Sequence, residues 1–256
     1  MAALGLAILA AGTAQAEEPG ICADRPAKAN AACTVPAGRV QLEIAAVDWS
    51  LTSSGGSRQE LVSVGGSYVK LGLTDGSDLE IGLSPRTTLT SRGVAGRRAS
   101  GIGDTVIRYK RRLGGEARVQ VALVPFLKLP TASRGLGNGA VEGGLVLPVS
   151  FTPAGSVTIT LDPEIDILAD SAGERRHLAL ANVVNVSAPV ARRVTFSAEL
   201  WSNLNLEPGG TIEQASADAA LAVSVSNDVQ LDVGANVGLT SATADFEAYA
   251  GVSLRF

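Results

Sequence analysis

Along most of this chain apolar and polar side chains take strict turns. Val157, Ile159, Leu161, Ile165 and Ile167 alternate with Thr158, Thr160, Asp162, Glu164 and Asp166, and Leu231, Val233, Ala235, Val237 and Leu239 with Gln230, Asp232, Gly234, Asn236 and Gly238. A period of two puts the two sets on opposite faces of a β-strand. Val194, Phe196, Ala198 and Leu200 repeat the pattern against Thr195, Ser197, Glu199 and Trp201, and the last residues set Ala248, Ala250, Val252, Leu254 and Phe256 against Glu247, Tyr249, Gly251, Ser253 and Arg255. Twelve such segments are predicted, near 38–51, 59–74, 77–91, 101–113, 117–130, 138–152, 156–169, 176–189, 193–207, 215–226, 229–241 and 246–256. Most exceed the usual strand of a soluble sheet and reach the roughly 9 to 11 residues that cross a bilayer at a tilt.

The connections alternate as well. Those after the even strands are tight: Thr74-Asp75-Gly76-Ser77, Gly114-Gly115-Glu116, Pro153-Ala154-Gly155, Ala191-Arg192 and Asn227-Asp228. Those after the odd strands are read as longer: 52–58, 91–100, 132–137, 170–175, 208–214 and 242–245. Short periplasmic turns opposite longer outer loops are the pattern of an outer-membrane barrel, and a soluble sandwich has no reason to follow it. The fold expected is all-β: a closed antiparallel transmembrane barrel of about twelve strands in the outer membrane of a Gram-negative bacterium.

Composition agrees. The chain is 46% hydrophobic and 18% charged, with net charge −4, too apolar for disorder. Beyond the amino terminus no apolar run approaches the ~18 residues of a spanning helix. With 25 acidic against 21 basic residues, nucleic acid is not an expected partner. In a closed barrel the apolar stripe faces lipid and the polar stripe faces the lumen, so carboxylates sit inside strands without cost to the outer surface.

Residues 1–16 read as a secretory signal ending in Ala14-Gln15-Ala16, although no Lys or Arg precedes the apolar run. Residues 17–37 are expected to form an irregular periplasmic arm, and 38–256 the barrel. The arm holds both cysteines, Cys22 and Cys33, which an oxidising compartment would join. A metal site there would need two further ligands, and the single histidine lies far off at 177, so neither metal nor cofactor is expected.

Gly103-Asp104-Thr105 followed by VIRYKRRL, then VPFLKLPT at 124–131, VQLDVGANVGLT at 229–240 and the terminal AGVSLRF resemble the family of the MetA pathway of phenol degradation, often called transporters. CADRP from Cys22 and the run Ala32-Cys33-Thr34-Val35-Pro36-Ala37-Gly38 resemble one branch of it. The resemblance covers nearly all of the mature chain and implies an outer-membrane barrel proposed to move small, aromatic or hydrophobic compounds. Its motifs build a barrel and do not specify a solute. Phe256 resembles the carboxy-terminal sorting residue read by the barrel-assembly machinery.

Twelve tilted strands make a ring roughly 12 Å in radius, narrow enough for side chains to fill. Parity points Asp104, Arg108, Lys110 and Arg112 inward from the fourth strand, and Arg118, Gln120 and Lys128 from the fifth. Asp162, Glu164 and Asp166 face them from the seventh, with Glu199, Asp232 and Glu247 further round. A basic wall opposite an acidic one either selects solutes in an open pore or pairs across a closed one. Pro163 is expected to bulge or break its strand. The glycine pairs 65–66 and 143–144 are read as relief of crowding, not as phosphate loops. An enzymatic alternative, a lipid hydrolase barrel, would need His177 with a serine and Asn182 or Asn185, and no motif supplies the serine. The remaining alternative is a closed structural or binding barrel, with the arm as plug or tether. The expectation is a channel for small molecules, not an enzyme, surrounded by outer-membrane lipid.

Overall fold

The computed structural model describes residues 20–93, 96–114, 118–153, 155–171 and 175–256, so the expected signal segment lies outside the described residues. These contain sixteen strand segments and no helix: β1 (Val40–Ser54), β2 (Ser57–Val64), β3 (Gly66–Thr74), β4 (Ser77–Leu83), β5 (Arg86–Arg92), β6 (Arg97–Gly101), β7 (Thr105–Gly114), β8 (Val119–Leu129), β9 (Glu142–Val146), β10 (Val149–Phe151), β11 (Thr158–Ala169), β12 (Arg176–Ala191), β13 (Val194–Asn205), β14 (Ile212–Ser224), β15 (Val229–Gly238) and β16 (Phe246–Arg255). Every pairing is antiparallel between neighbours, and β16 pairs with β1 from Gln41↔Arg255 to Leu51↔Phe246, which closes the sheet. Four crossings are each split in two: β2/β3, β4/β5, β6/β7 and β9/β10. The ring therefore has twelve crossings, as the periodicity predicts.

Three of the four splits have a local cause. Gly65 takes φ 72° between β2 and β3, opposite the register shift at Ala45/Val47 of β1. A glycine accepts that left-handed conformation without a Cβ clash. Pro85 and Pro148 interrupt β4/β5 and β9/β10 by removing ladder donors. Pro163, by contrast, leaves β11 unbroken: it stays in register with Asn182 of β12, and its carbonyl accepts Leu147 N on the other side at 3.0 Å. The N–H it lacks would point to that same side, where β9 has already ended beside Pro148. The first outer connection is also shorter than expected, because Gly55 and Gly56, both at positive φ, turn the chain tightly between Ser54 and Ser57.

Burial is inverted relative to a soluble protein. Lys70 and Lys110 are 1% exposed, Glu43 2% and Glu80 0%, whereas Ile167 is 54% exposed, Leu200 59% and Val233 53%. The apolar face is the outer one, as lipid requires. Trp49 lies on this face near the loop end, 6.0 Å from Phe246 and donating from Nε1 to Glu60, while Phe151, Phe196 and Phe256 are exposed toward the turn end. A closed barrel with an apolar exterior and polar interior is the form an outer-membrane protein takes.

Candidate functional site: a lumen filled by the arm

The arm enters the barrel instead of resting beneath it. Residues 20–37 have no regular structure, so their backbone N–H groups need acceptors, and inward carboxylates supply them. Glu43 accepts Asp24 N and Arg25 N at 3.1 Å. Glu199 accepts Lys28 N at 2.9 Å and Ala29 N at 3.0 Å. Asp162 takes Asn30 N and Nδ2 at 2.7 and 2.8 Å, and Asp78 takes Val35 N at 2.8 Å. Gln41 donates to Cys22 O at 2.6 Å.

Ion pairs complete the docking. Asp24 reaches Lys70 at 2.5 Å and Lys110 at 2.8 Å. Glu43 reaches Lys70 at 2.5 Å, and Glu80 lies 3.3 Å from Lys110 and 3.9 Å from Arg108. Burial pushes the Asp24 carboxyl up, but the Lys110 and Lys70 ammonium groups reverse this and hold it well below the usual carboxylate range. Arg25 clasps Asp232 through two nitrogens, at 2.7 and 3.2 Å, and lies over the Tyr249 ring. Lys28 meets Asp218 at 2.8 Å beside Trp201. Cys22 and Cys33 are bonded, tying the two ends of this segment together.

Several glycines make room for it. A Cβ on Gly72 would stand 1.9 Å from Pro36 O, and one on Gly251 2.4 Å from the Arg25 guanidinium. Gly82 and Gly234 leave space for the inward rings of Tyr68 and Tyr249. Tyr68 in turn supports Arg108, whose guanidinium sits 4.5 Å from the ring centre and donates to Asn30. Gly144 of the predicted pair 143–144 admits Asp166 and the Phe126 ring, a packing role with no phosphate geometry.

The residues singled out by parity are thus distributed among distinct tasks. Lys110, Arg108, Asp162, Glu199 and Asp232 contact the arm. Glu164 and Asp166 face inward on β11 in the registers of Ala181 and Ala179, with Asp166 Oδ1 buried and without a hydrogen-bond partner. Glu247 accepts Asn236 Nδ2 at 2.8 Å. Lys128 pairs with Glu142 at 2.7 Å and Asp104 at 3.4 Å, and Asp104 also accepts Ala132 N, drawing the 130–141 loop against the inner wall. Arg112 is exposed at the turn rim, donating to Asp75 O, because the strand has reached its end there. Arg118 sits at the same mouth. Within the expected basic wall Lys110 is met by Asp24 and Glu80, Arg108 by Glu80, and Lys128 by Glu142 and Asp104, none of which lies on the acidic strand β11. Glu43, Lys70, Asp78, Glu80, Arg25 and Lys28 were not singled out, although the parity that marks Lys110 also marks the first four.

The docked arm divides the lumen. On the turn side a cavity of ≈ 340 Å³ is lined by the arm with Arg118, Gln120, Thr160 and Asn185. Toward the loops a second, of ≈ 320 Å³, is bounded by Asp24 and Lys28 with Tyr68, Val106 and Arg108. The enzyme constellation does not assemble. His177 hydrogen-bonds Asp170, Asn185 donates to Glu199 inside the lumen, and Asn182 lies on the lipid face.

Comparison with solved structures agrees with the architecture. The COG4313 outer membrane channel from Pseudomonas putida F1 superposes with a TM-score of 0.69 at 16% identity, covering 88% of this chain and 97% of that one. The NanC porin gives 0.52 at 10% identity over 84% and 98%. The beta domain of the Bordetella autotransporter BrkA gives 0.52 at 12% identity over 85% and 98%. At these identities the likeness is one of fold. No curated protein matches the chain. A family model does match, over residues 23–256, from the arm to the last strand. The chain accordingly belongs to the family described as "Putative MetA-pathway of phenol degradation".

Proposed function

We propose that this barrel is an outer-membrane channel for small molecules whose resting lumen is closed by its own amino-terminal arm. The observation that carries the reading is the line of carboxylates Glu43, Glu199, Asp162 and Asp78 holding successive arm amides between the two cavities. A cavity of about 150 Å³ accommodates benzene, so a space of ≈ 320 Å³ is large enough for a single-ring solute. Its lining mixes Tyr68 and Val106 with Arg108 and Asp104, which suits a weakly polar aromatic compound. The family description supports the same solute class.

A sideways route from the upper cavity is favoured by one feature. Among the described residues β6 pairs with β5 alone, so its other edge has no strand partner there, and β7 meets β8 only from Thr105↔Leu129 onward. The 130–141 loop covers this stretch through Ser133 and Ile102. A lipid-active enzyme is not supported: the His177 ring is committed to Asp170, with no serine hydroxyl bonded to it among the described residues.

Reconstitution tests the channel. Planar-bilayer conductance and liposome-swelling rates for phenol and for a disaccharide, with Cys22–Cys33 intact and reduced, should show phenol uptake faster than in protein-free liposomes and larger ion conductance after reduction. Uptake of both solutes no faster than in protein-free liposomes, in either form, rules the channel out, and conductance unchanged by reduction leaves the arm a passive lead-in.

A further inference from the structure

At the loop end of the barrel, away from the arm, the chain's single histidine lies between two carboxylates from different connections. Asp170 closes β11, His177 opens β12 and Glu207 follows β13. His177 Nδ1 is 2.9 Å from Asp170 Oδ1 and 3.6 Å from Glu207 Oε2, and the three ligand atoms lie within 4.8 Å of one another. They border a cavity of ≈ 370 Å³ together with Asn138, Glu142 and Asn205. Glu207 is held in place by Ser171, whose N and Oγ donate to it at 3.2 and 3.0 Å.

Hydrogen bonding leaves this cluster incomplete. One nitrogen carries at most one proton, so Nδ1 satisfies Asp170 and leaves the nearby Glu207 oxygen without a donor from the ring. The His177 side chain is only 5% exposed, and the far side of its ring faces Asn205 in the same cavity wall. A cation in place of the Nδ1 proton serves the two carboxylates that a single N–H cannot. It draws both carboxylates to a single centre, and it fixes the ring proton on Nε2, where Asn205 Oδ1 is available to orient it as the outer partner of a metal-bound imidazole.

From this geometry we infer a divalent transition-metal site at Asp170, His177 and Glu207, open to the external face of the barrel. One imidazole and two carboxylates suit Zn²⁺, with a fourth position left to water or an external ligand. Ca²⁺ and Mg²⁺ seek all-oxygen sets and are poorly served here. Occupied, the site ties the connections after β11 and β13 to each other at the mouth.

The test uses the refolded full-length chain in detergent, with Zn²⁺ alone as the probe. Calorimetric titration should give one Zn²⁺ per chain, and His177→Gln and Asp170→Asn should each weaken it at least tenfold while keeping heat-modifiable gel migration. Glu207→Gln tests the third ligand separately, and Ca²⁺ at the same concentration should not compete. Hydrogen exchange should slow on Zn²⁺ addition at the outer ends of β11 and β13. Equal Zn²⁺ affinity in the wild type and His177→Gln, or no saturable binding in a heat-modifiable wild type, overturns the assignment. None of these readings depends on conduction, so they stand or fall apart from the channel proposal.

Discussion

Asp24 Oδ1 lies 2.8 Å from Lys110 Nζ, and this contact joins an irregular arm to β7 deep inside the barrel. Lys110 is 1% exposed, and Asp24 is also its neighbour Lys70's partner. Asp24→Asn leaves two buried ammonium groups short of an anion. Breaking a buried pair from one side costs about 3–5 kcal/mol, so arm docking should weaken more than a hundredfold. Tryptic cleavage after Lys28 in the intact barrel measures it; cleavage no faster than wild type refutes the role.

Acid should have little effect on this contact above pH 4. The folded carboxyl of Asp24 is held well below its unfolded value of about 3.9. A depressed acid pKa contributes stability that is fully present above the unfolded pKa and is lost as pH falls through the folded one. Protection of the arm amides of Lys28 and Ala29, measured by hydrogen exchange and corrected for the intrinsic rate, should therefore be equal at pH 7 and pH 5. Loss of protection between those values would mean that another group governs docking.

Glu199 accepts two consecutive arm amides and also Asn185 Nδ2 at 3.1 Å. Glu199→Gln keeps the size but replaces one acceptor oxygen with a donor aimed at an N–H. An orphaned buried donor costs about 1–3 kcal/mol, so Lys28 and Ala29 should exchange roughly 5- to 150-fold faster while the β13–β14 ladder keeps its protection.

Gly72 tests whether the arm's carboxy-terminal end is seated by shape. Its hydrogen bonds with Arg39 O and Gly38 N are backbone ones and survive substitution, whereas a Cβ would meet Pro36 O and Val35 O. Gly72→Val should lift residues 34–37 from the wall, cost about 1–3 kcal/mol and raise ion conductance. A wild-type closed level in planar bilayers contradicts this.

How much was legible follows from how local each rule is. Period-two alternation reads one strand at a time, so the twelve crossings and the inward set from Arg108 to Glu247 could be derived from spacing alone. What the inward residues touch could not. Asp24 meets Lys110 across 86 positions and Arg25 meets Asp232 across 207, distances that only ring closure spans. The arm lacks periodicity, so the sequence leaves plug and tether equally open and names none of its contacts. Pro163 was misjudged because its harmlessness depends on Pro148 in the neighbouring crossing. His177 was judged alone, since the residues that make it a ligand candidate lie 7 positions before it and 30 after it, in two separate connections.

Val40 and Phe256 exchange both backbone hydrogen bonds at the foot of the seam, at 3.2 and 2.8 Å. The ring is thus complete only when β16 has reached β1. A nascent chain lacking β16 holds two raw sheet edges, β1 and β15, and edges of that length invite pairing with another chain. Loss of β16 therefore does more than remove a strand: it turns a self-contained cylinder into an open ribbon prone to join its neighbours.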